Sequence, residues 1–386
     1  MSAQHRRLGA TAIATAVVSV ALLAGCSSSP GGTAASASGG AGGGTSQVTT
    51  AMIDALRQGT PGTSTIPDLP GASTLAGKTI MYIPIVQASP SFTPTIAGLK
   101  DAAAKLGVNL VICDGGANPS QISSCLTQAS QQKLAAVITD SISPVLAGQG
   151  FAALQAAGVP LVLGDEDNIE PTATQASVGG AFAIEFTKQA AQYAIWDSNG
   201  AADALLVQVT DDPVTTSSFE KGTLATFTSQ CPGCTTTVIQ TTTGQLAQLP
   251  AAVSSAMIKD PDINYVIGEF DSDVPGIIQA LSTSNSRSVK VIGAVGVLQS
   301  LQAIKANQFV VADAGVSGYE EGWQMVDQAA RLALGVAAIP DYQPSSRLFD
   351  ATNVGDLNLT AEGASDGSWF GDDSFKTRIV KAWGMQ

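Results

Sequence analysis

From Lys78 onward the chain repeats one unit, a short apolar run rich in β-branched residues followed by a segment with apolar residues at helical spacing. "TIMYIPIV" (Thr79–Val86) is the first run, and in the segment after it Ile96, Leu99, Ala103 and Leu106 recur at helical intervals before Gly107. The unit returns as strand "VNLVIC", a helix from Asn118 with Pro119 at its start, strand "AAVITD", a helix after Ser143-Pro144, and strand "PLVLGD". Strands separated by helices of this length fold as right-handed βαβ units around a parallel sheet covered on both faces. The alternation restarts at "ADALLVQV" and runs through "TTTVIQTT", "NYVIGEF" and "VKVIGAV" to "FVVADAG". Two such series imply an α/β protein of two lobes. Ligands of these open sheets bind beyond the carboxyl ends of the strands, so facing lobes would share one cleft.

Ahead of this region lies a leader. Arg6 and Arg7 precede an apolar run from Leu8 to Ala24, and "LAGC" ends at Cys26. A basic head, a short apolar stretch and small residues are the layout of a secretory signal peptide, here residues 1–25. "LAGC" resembles the lipobox of bacterial lipoproteins, which implies that Cys26 is acylated and becomes the mature N-terminus. Residues 27–44 are almost wholly Ser, Gly, Ala and Pro, the composition of a flexible tether. Residues 45–75 carry one helix-like piece, Val48–Arg57, and a Pro/Gly-rich approach expected to wrap the surface. Residues 26–75 thus form lipidated cysteine, tether and wrap, placing the protein on an extracytoplasmic membrane face.

Composition removes several kinds of chemistry. The net charge is −13, more negative still without Arg6 and Arg7, which does not suit a nucleic-acid partner. The single histidine, His5, leaves with the leader, taking with it Ser-His-Asp and Cys-His mechanisms and histidine-bearing zinc sites. Neither G-x-x-x-x-G-K-[ST] nor G-x-G-x-x-G occurs. No cofactor and no metal is expected, and no catalytic residue is assigned, although a hydrolase built on paired carboxylates stays open. Of five cysteines, four remain once Cys26 is acylated, an even number that outside the cell favours disulfides. Cys113 ends a strand and Cys125 lies about two turns into the next helix, so one bridge pins that helix to its strand. Cys231 and Cys234, in "CPGC", form the other, with a redox-active motif as the alternative.

The phrases "AGLKDAAAKLGVNLVICDGGANPSQISSCLTQASQQKLAAVI", "GVPLVLGDED", "SVGG" before a long helix, and "ADAGVSGYEEGWQMVDQAARLALG" stand in a familiar order. Over Lys78–Asp350 the chain resembles the type I periplasmic binding proteins, specifically the ribose/galactose-type solute-binding lipoproteins of ABC importers. The resemblance implies two doubly wound α/β lobes joined by a three-segment hinge. Lobe one would be residues 77–175 plus 315–340, and lobe two residues 176–313 plus 341–386. By the same token the cleft is lined at strand ends. Lobe one would supply Ser89, Phe92, Asp140, Ser141, Asp165 and Glu166; lobe two Phe219, Lys221, Phe270, Asp271 and, near a hinge, Asp313. Asp165 and Asp271 also read as helix caps, Phe92 and Phe270 as core, and Lys221 as a solvated helix residue.

The chain departs from the family's sugar pattern at three places. Pentose and hexose binders usually carry Asn and aromatics in the first loop, an Asp-Arg pair after the fourth strand, and an Asp after "VIG". Here the first loop is "QASPSF", the pair is Asp165-Glu166, and "VIGAVGV" supplies Val295. Polyols need many hydrogen bonds, so losing those groups favours a less polar or cationic ligand. The expected function is capture of a small molecule, a sugar or another small polar or aromatic compound, by a monomeric binding protein. It would deliver this ligand to an ABC permease, without covalent chemistry. The alternative is a receptor whose closed form engages a membrane sensor.

Overall fold

The computed structural model describes residues 46–386 except 167–168, 181, 212 and 285–287; the leader and Cys26 lie outside the described residues. Strands β1 (Thr79–Pro84), β2 (Asn109–Ile112), β3 (Ala136–Asp140), β4 (Leu161–Gly164) and β5 (Gln175–Val178) form one parallel sheet in the order β2-β1-β3-β4-β5. The second sheet contains β6 (Asp203–Val209), β7 (Thr235–Thr241), β8 (Tyr265–Ile267), β9 (Lys290–Val295), β10 (Val310–Val316) and β11 (Ser346–Asp350). Its order is β11-β10-β9-β8-β6-β7, parallel except for β11, which runs antiparallel to β10. Two strands were not legible in the sequence. β5 is four residues ahead of "GG", and β11 lies in a region whose apolar pattern is irregular.

Each sheet is covered on both faces. Around the first sheet stand α2 (Phe92–Leu106), α3 (Pro119–Ser130), α4 (Gly148–Ala156) and α11 (Gly318–Ala333). Around the second stand α1 (Thr50–Gln58), α5 (Phe182–Asp197), α6 (Pro213–Ser218), α7 (Ala225–Gln230), α8 (Leu249–Lys259), α9 (Val274–Ser284) and α10 (Leu298–Lys305). The period-two alternation of strands sorts the core. Ile80 and Tyr82 face α2 and α11, whereas Met81 and Ile83 face α3 and α4. Leu206, Ile292 and Ala312 face α5, whereas Leu205, Val266 and Val291 face α8 and α9. α3 begins as its sequence dictates: Asn118 Oδ1 accepts from the backbone N–H groups of Ser120 and Gln121, with Pro119 in the first turn.

α11 is buried on every side through Leu332, not on one face. The reason is its close approach to α2: a Cβ on Gly98 would lie 2.0 Å from the Tyr319 carbonyl oxygen, and one on Gly322 2.3 Å from that of Thr95. Its polar groups then find partners inside. Arg331 Nε donates to Asp327 Oδ2 at 2.8 Å, and Trp383 Nε1 donates to Asp327 Oδ1 at 2.7 Å.

The lobes are joined by more segments than three. The chain passes between them after β5, at 316–317 and at 340–346, near the expected places. It also crosses at both ends. Residues 45–75 do more than wrap the surface, because Ile53 is fully buried in lobe two and Leu69 is buried in lobe one. Between them Thr60 pairs with Ser346, each backbone N–H donating to the other's carbonyl. At the other end, α12 (Ala361–Ala364) and Trp369 pack on lobe two, but α13 (Ser374–Ala382) places Phe375, Ile379 and Trp383 in the core of lobe one. The assignment of 341–386 wholly to lobe two is therefore corrected. The helical periodicity of α13 shows an apolar face but not which lobe covers it. The bridges Cys113–Cys125 and Cys231–Cys234 are both formed, the first tying β2 to α3 and the second closing the turn after α7.

Candidate functional site

A cavity of about 840 Å³ lies between the lobes at the carboxyl ends of the strands. That size is ample for a small organic molecule. Ser89, Phe92, Ser141, Asp165 and Glu166 line it from lobe one, and Phe270 and Asp271 from lobe two. Asp140, Phe219, Lys221 and Asp313 do not reach its wall.

Local backbone geometry places the strand-end residues. Ser141 after β3 has φ 53°, Asp165 after β4 φ 51°, and Val295 at the end of β9 φ 120°. All three line the cavity. Left-handed backbone is costly for residues with a Cβ, most of all a β-branched one, and such strain gathers at functional sites. Each turn here aims a side chain across the mouth of its sheet.

In lobe one the strand ends form a stack of carboxyl groups. Tyr82 donates its hydroxyl to Asp140 Oδ2 at 2.5 Å, and Ser141 Oγ donates to Asp140 Oδ1 at 3.4 Å and Asp165 Oδ2 at 3.5 Å. Glu321, in the first turn of α11, approaches the same spot. A Cβ on Gly179 would lie 2.9 Å from Glu321 Oε1 and 3.2 Å from Asp165 Oδ1. Burial first, then the negative charge of Asp165, pushes the Asp140 and Glu321 carboxyls well above the usual carboxylate range. Burial also raises Asp165. Glu321 is 3% exposed and its Oε1 has no hydrogen-bond partner, although the residue lines the cavity.

In lobe two the strand-end acids are turned inward. Asp271 Oδ2 accepts from the N–H groups of Gly296 (3.0 Å) and Val297 (2.8 Å), and Oδ1 accepts from Ser300 Oγ at 2.7 Å. The Val297 N–H is an orphan donor at the start of α10, flanked by the Gly296 N–H and the Ser300 hydroxyl, so Asp271 is a cap supplied from another strand's end. Asp313 sits against it, close enough that a Cβ on Gly293 would meet both carboxyls. Burial and then the Asp271 charge push Asp313 far up. Burial likewise raises Asp273, to about 7.

The remaining expectations sort by packing. Phe219 is core, 2% exposed beneath α5, and Lys221 is solvent-exposed. Residues 219–224 make a π-helical turn between α6 and α7, which a 3.6-residue period does not anticipate. Gly222 brings that turn against Thr187, whose hydroxyl donates to the Ser218 carbonyl at 3.0 Å. Phe92 both lines the cavity and belongs to the core of lobe one. The sequence reading missed Phe186, Tyr319, Glu321, Trp369 and Phe370, all at the cavity wall. Phe186 packs edge-on to Phe270 with centroids 6.1 Å apart. Glu321 alone carried a signal, as an acid in the first turn of a helix otherwise recognised. Among the described residues no group of acids or cysteines is arranged to hold a metal ion, and no helix is long and apolar enough to cross a membrane.

Known proteins of the same architecture put this cavity in context. The 5-methylthioribose transporter solute-binding protein of Thermotoga lettingae superposes with a TM-score of 0.66 at 20% identity, covering 78% of this chain and 97% of that one. A sugar ABC transporter protein of Yersinia enterocolitica gives a TM-score of 0.67 at 16% identity, with 83% and 100% covered. An ABC transporter solute-binding protein of Mycobacterium smegmatis, with bound glycerol, gives 0.63 at 20% identity, with 73% and 97% covered. No curated protein matches by sequence. The two lobes with their largely parallel sheets are thus the type I periplasmic binding protein fold. The family described as periplasmic binding protein domain matches residues 80–336, and the chain belongs to it.

Proposed function

We propose that the protein is an extracytoplasmic solute-binding lipoprotein that captures a small molecule between its lobes and delivers it to an ABC importer. The observation that carries this reading is the 840 Å³ cavity, walled by strand ends of both lobes in a member of the periplasmic binding protein family. The solved relatives are described as transporter components, one in complex with 5-methylthioribose and one with glycerol bound. Closure about the hinge would bury the ligand and present a closed surface to a permease, with no covalent step. The leader and "LAGC" support a lipid anchor at Cys26, from which residues 27–44 tether the lobes.

Native mass spectrometry of the purified mature chain, together with small-angle scattering, tests the reading. The expected result is a retained or added small molecule at one per chain, with a smaller radius of gyration in the bound form. A ligand bound tightly without compaction would count against the hinged cleft. Cys26→Ser should release the protein from the membrane fraction; a variant still bound and normally cleaved removes the lipoprotein assignment.

A further inference from the structure

The cavity wall has one sign of charge. Its charged residues are Asp165, Glu166, Asp211, Asp271 and Glu321, and no Lys, Arg or His is among the described residues that line it. Two of these acids are already engaged by the protein. Asp271 caps α10, and Asp211 Oδ2 accepts from the Thr243 N–H at 2.9 Å and hydroxyl at 2.7 Å. Asp165 and Glu321 are different. Their oxygens converge over Gly179, Ser141 Oγ reaches Asp165 only at 3.5 Å, and among the described residues Glu321 Oε1 is buried without a partner. A buried carboxylate oxygen with no donor is costly, and a donor brought by a ligand relieves that cost.

The rest of the wall mixes aromatic and aliphatic side chains with neutral polar ones, among them Ser89, Thr215, Gln299 and Gln308. Phe92, Pro94 and Ile85 face the cavity from lobe one, and Phe186, Phe270 and Phe370 from lobe two. A cation placed against these raised carboxyls draws them to the ionised form, which only accepts hydrogen bonds, so the complementary group carries donors and a positive charge. Aromatic faces attract a cation as well as a hydrocarbon body. A neutral polyol would bring no charge to answer Asp165 and Glu321. We infer that the cleft takes a small organic amine on an apolar or aromatic body, its ammonium group placed between Asp165 and Glu321. This inference rests on the solute-binding reading and specifies its ligand class.

The test is calorimetric titration of the mature chain with 4-phenylbutylamine, its neutral counterpart 4-phenylbutanol, and D-ribose. The amine should bind at least tenfold more tightly than the alcohol, and ribose weakest. Glu321→Gln should bring amine and alcohol within about threefold of each other, as should Asp165→Asn, with thermal melts showing both variants folded. If the alcohol or ribose binds as tightly as the amine, or the amine does not bind, the cationic ligand class is overturned. A preference for the amine that survives both substitutions overturns the placement. Those failures leave the solute-binding reading standing, whereas amine binding with no compaction in scattering would overturn that reading instead.

Discussion

Both lobes end their strands in buried acids, yet Asp271 in lobe two and the pair Asp165 and Glu321 in lobe one do opposite work. In lobe two, Asp271 spends both oxygens on Gly296, Val297 and Ser300. In lobe one, Asp165 and Glu321 lack such donors, and Glu321 Oε1 has none. The same residue type at the same topological place is a helix cap on one side of the cleft and a ligand-facing group on the other. What separates them is the supply of backbone N–H groups. The turn after β9 brings the N-terminus of α10 to Asp271, while the carboxyls of Asp165, Asp140 and Glu321 meet one another. Burial raises Asp271 as well, but its donors pull it back down, whereas Glu321, facing other acids, is pushed well above the usual carboxylate range.

This contrast can be broken most strongly at Asp271. Asp271→Ala removes three hydrogen bonds to a buried carboxyl and should destabilise the protein by about 3 kcal/mol, read from denaturant midpoints. Affinity for a cleft ligand should change much less. A large loss of affinity with unchanged stability would make the two lobes alike after all.

A second effect concerns pH. Asp273 is raised to about 7 by burial, so its neutral form is favoured by folding. A carboxyl raised in the folded state contributes stability that is fully present below about pH 4, its ordinary value, and is lost as pH rises through about 7. Asp273→Asn should accordingly lose less stability than the parent between pH 4 and pH 8, by thermal melts across that range. Equal losses in both proteins would show that Asp273 is not held neutral. The smallest effect belongs to Lys221. Being exposed and away from the cavity, Lys221→Ala should alter stability by no more than about 0.5 kcal/mol and leave ligand affinity unchanged.

Much of the fold was legible because period-two and helical patterns are local. Apart from β5, the strand runs from Thr79 to Val316, the cap at Asn118 and the bridge from Cys113 to Cys125 can each be read within about a dozen residues. β11 was not, because an antiparallel edge strand depends on β10 and on Thr60, far away in sequence. Phe219 packs into the core and Lys221 faces solvent within a π-helical turn that a 3.6-residue period does not anticipate. The site was half legible: strand ends named Ser141, Asp165 and Phe270, but not the ring of Phe186 or the carboxyl of Glu321.

The sequence by itself determined the two α/β series and the acidic composition, and it pointed to the cysteine pairs that the structure bridges. Only the tertiary structure decided that α1 and α13 brace opposite lobes, adding crossings at both ends of the chain. It also decided which acids are caps and which face the cleft. An apolar face or a carboxyl is a local property, but what covers it is set by segments hundreds of residues apart. Whether a buried charge is satisfied depends on the donors that those segments bring.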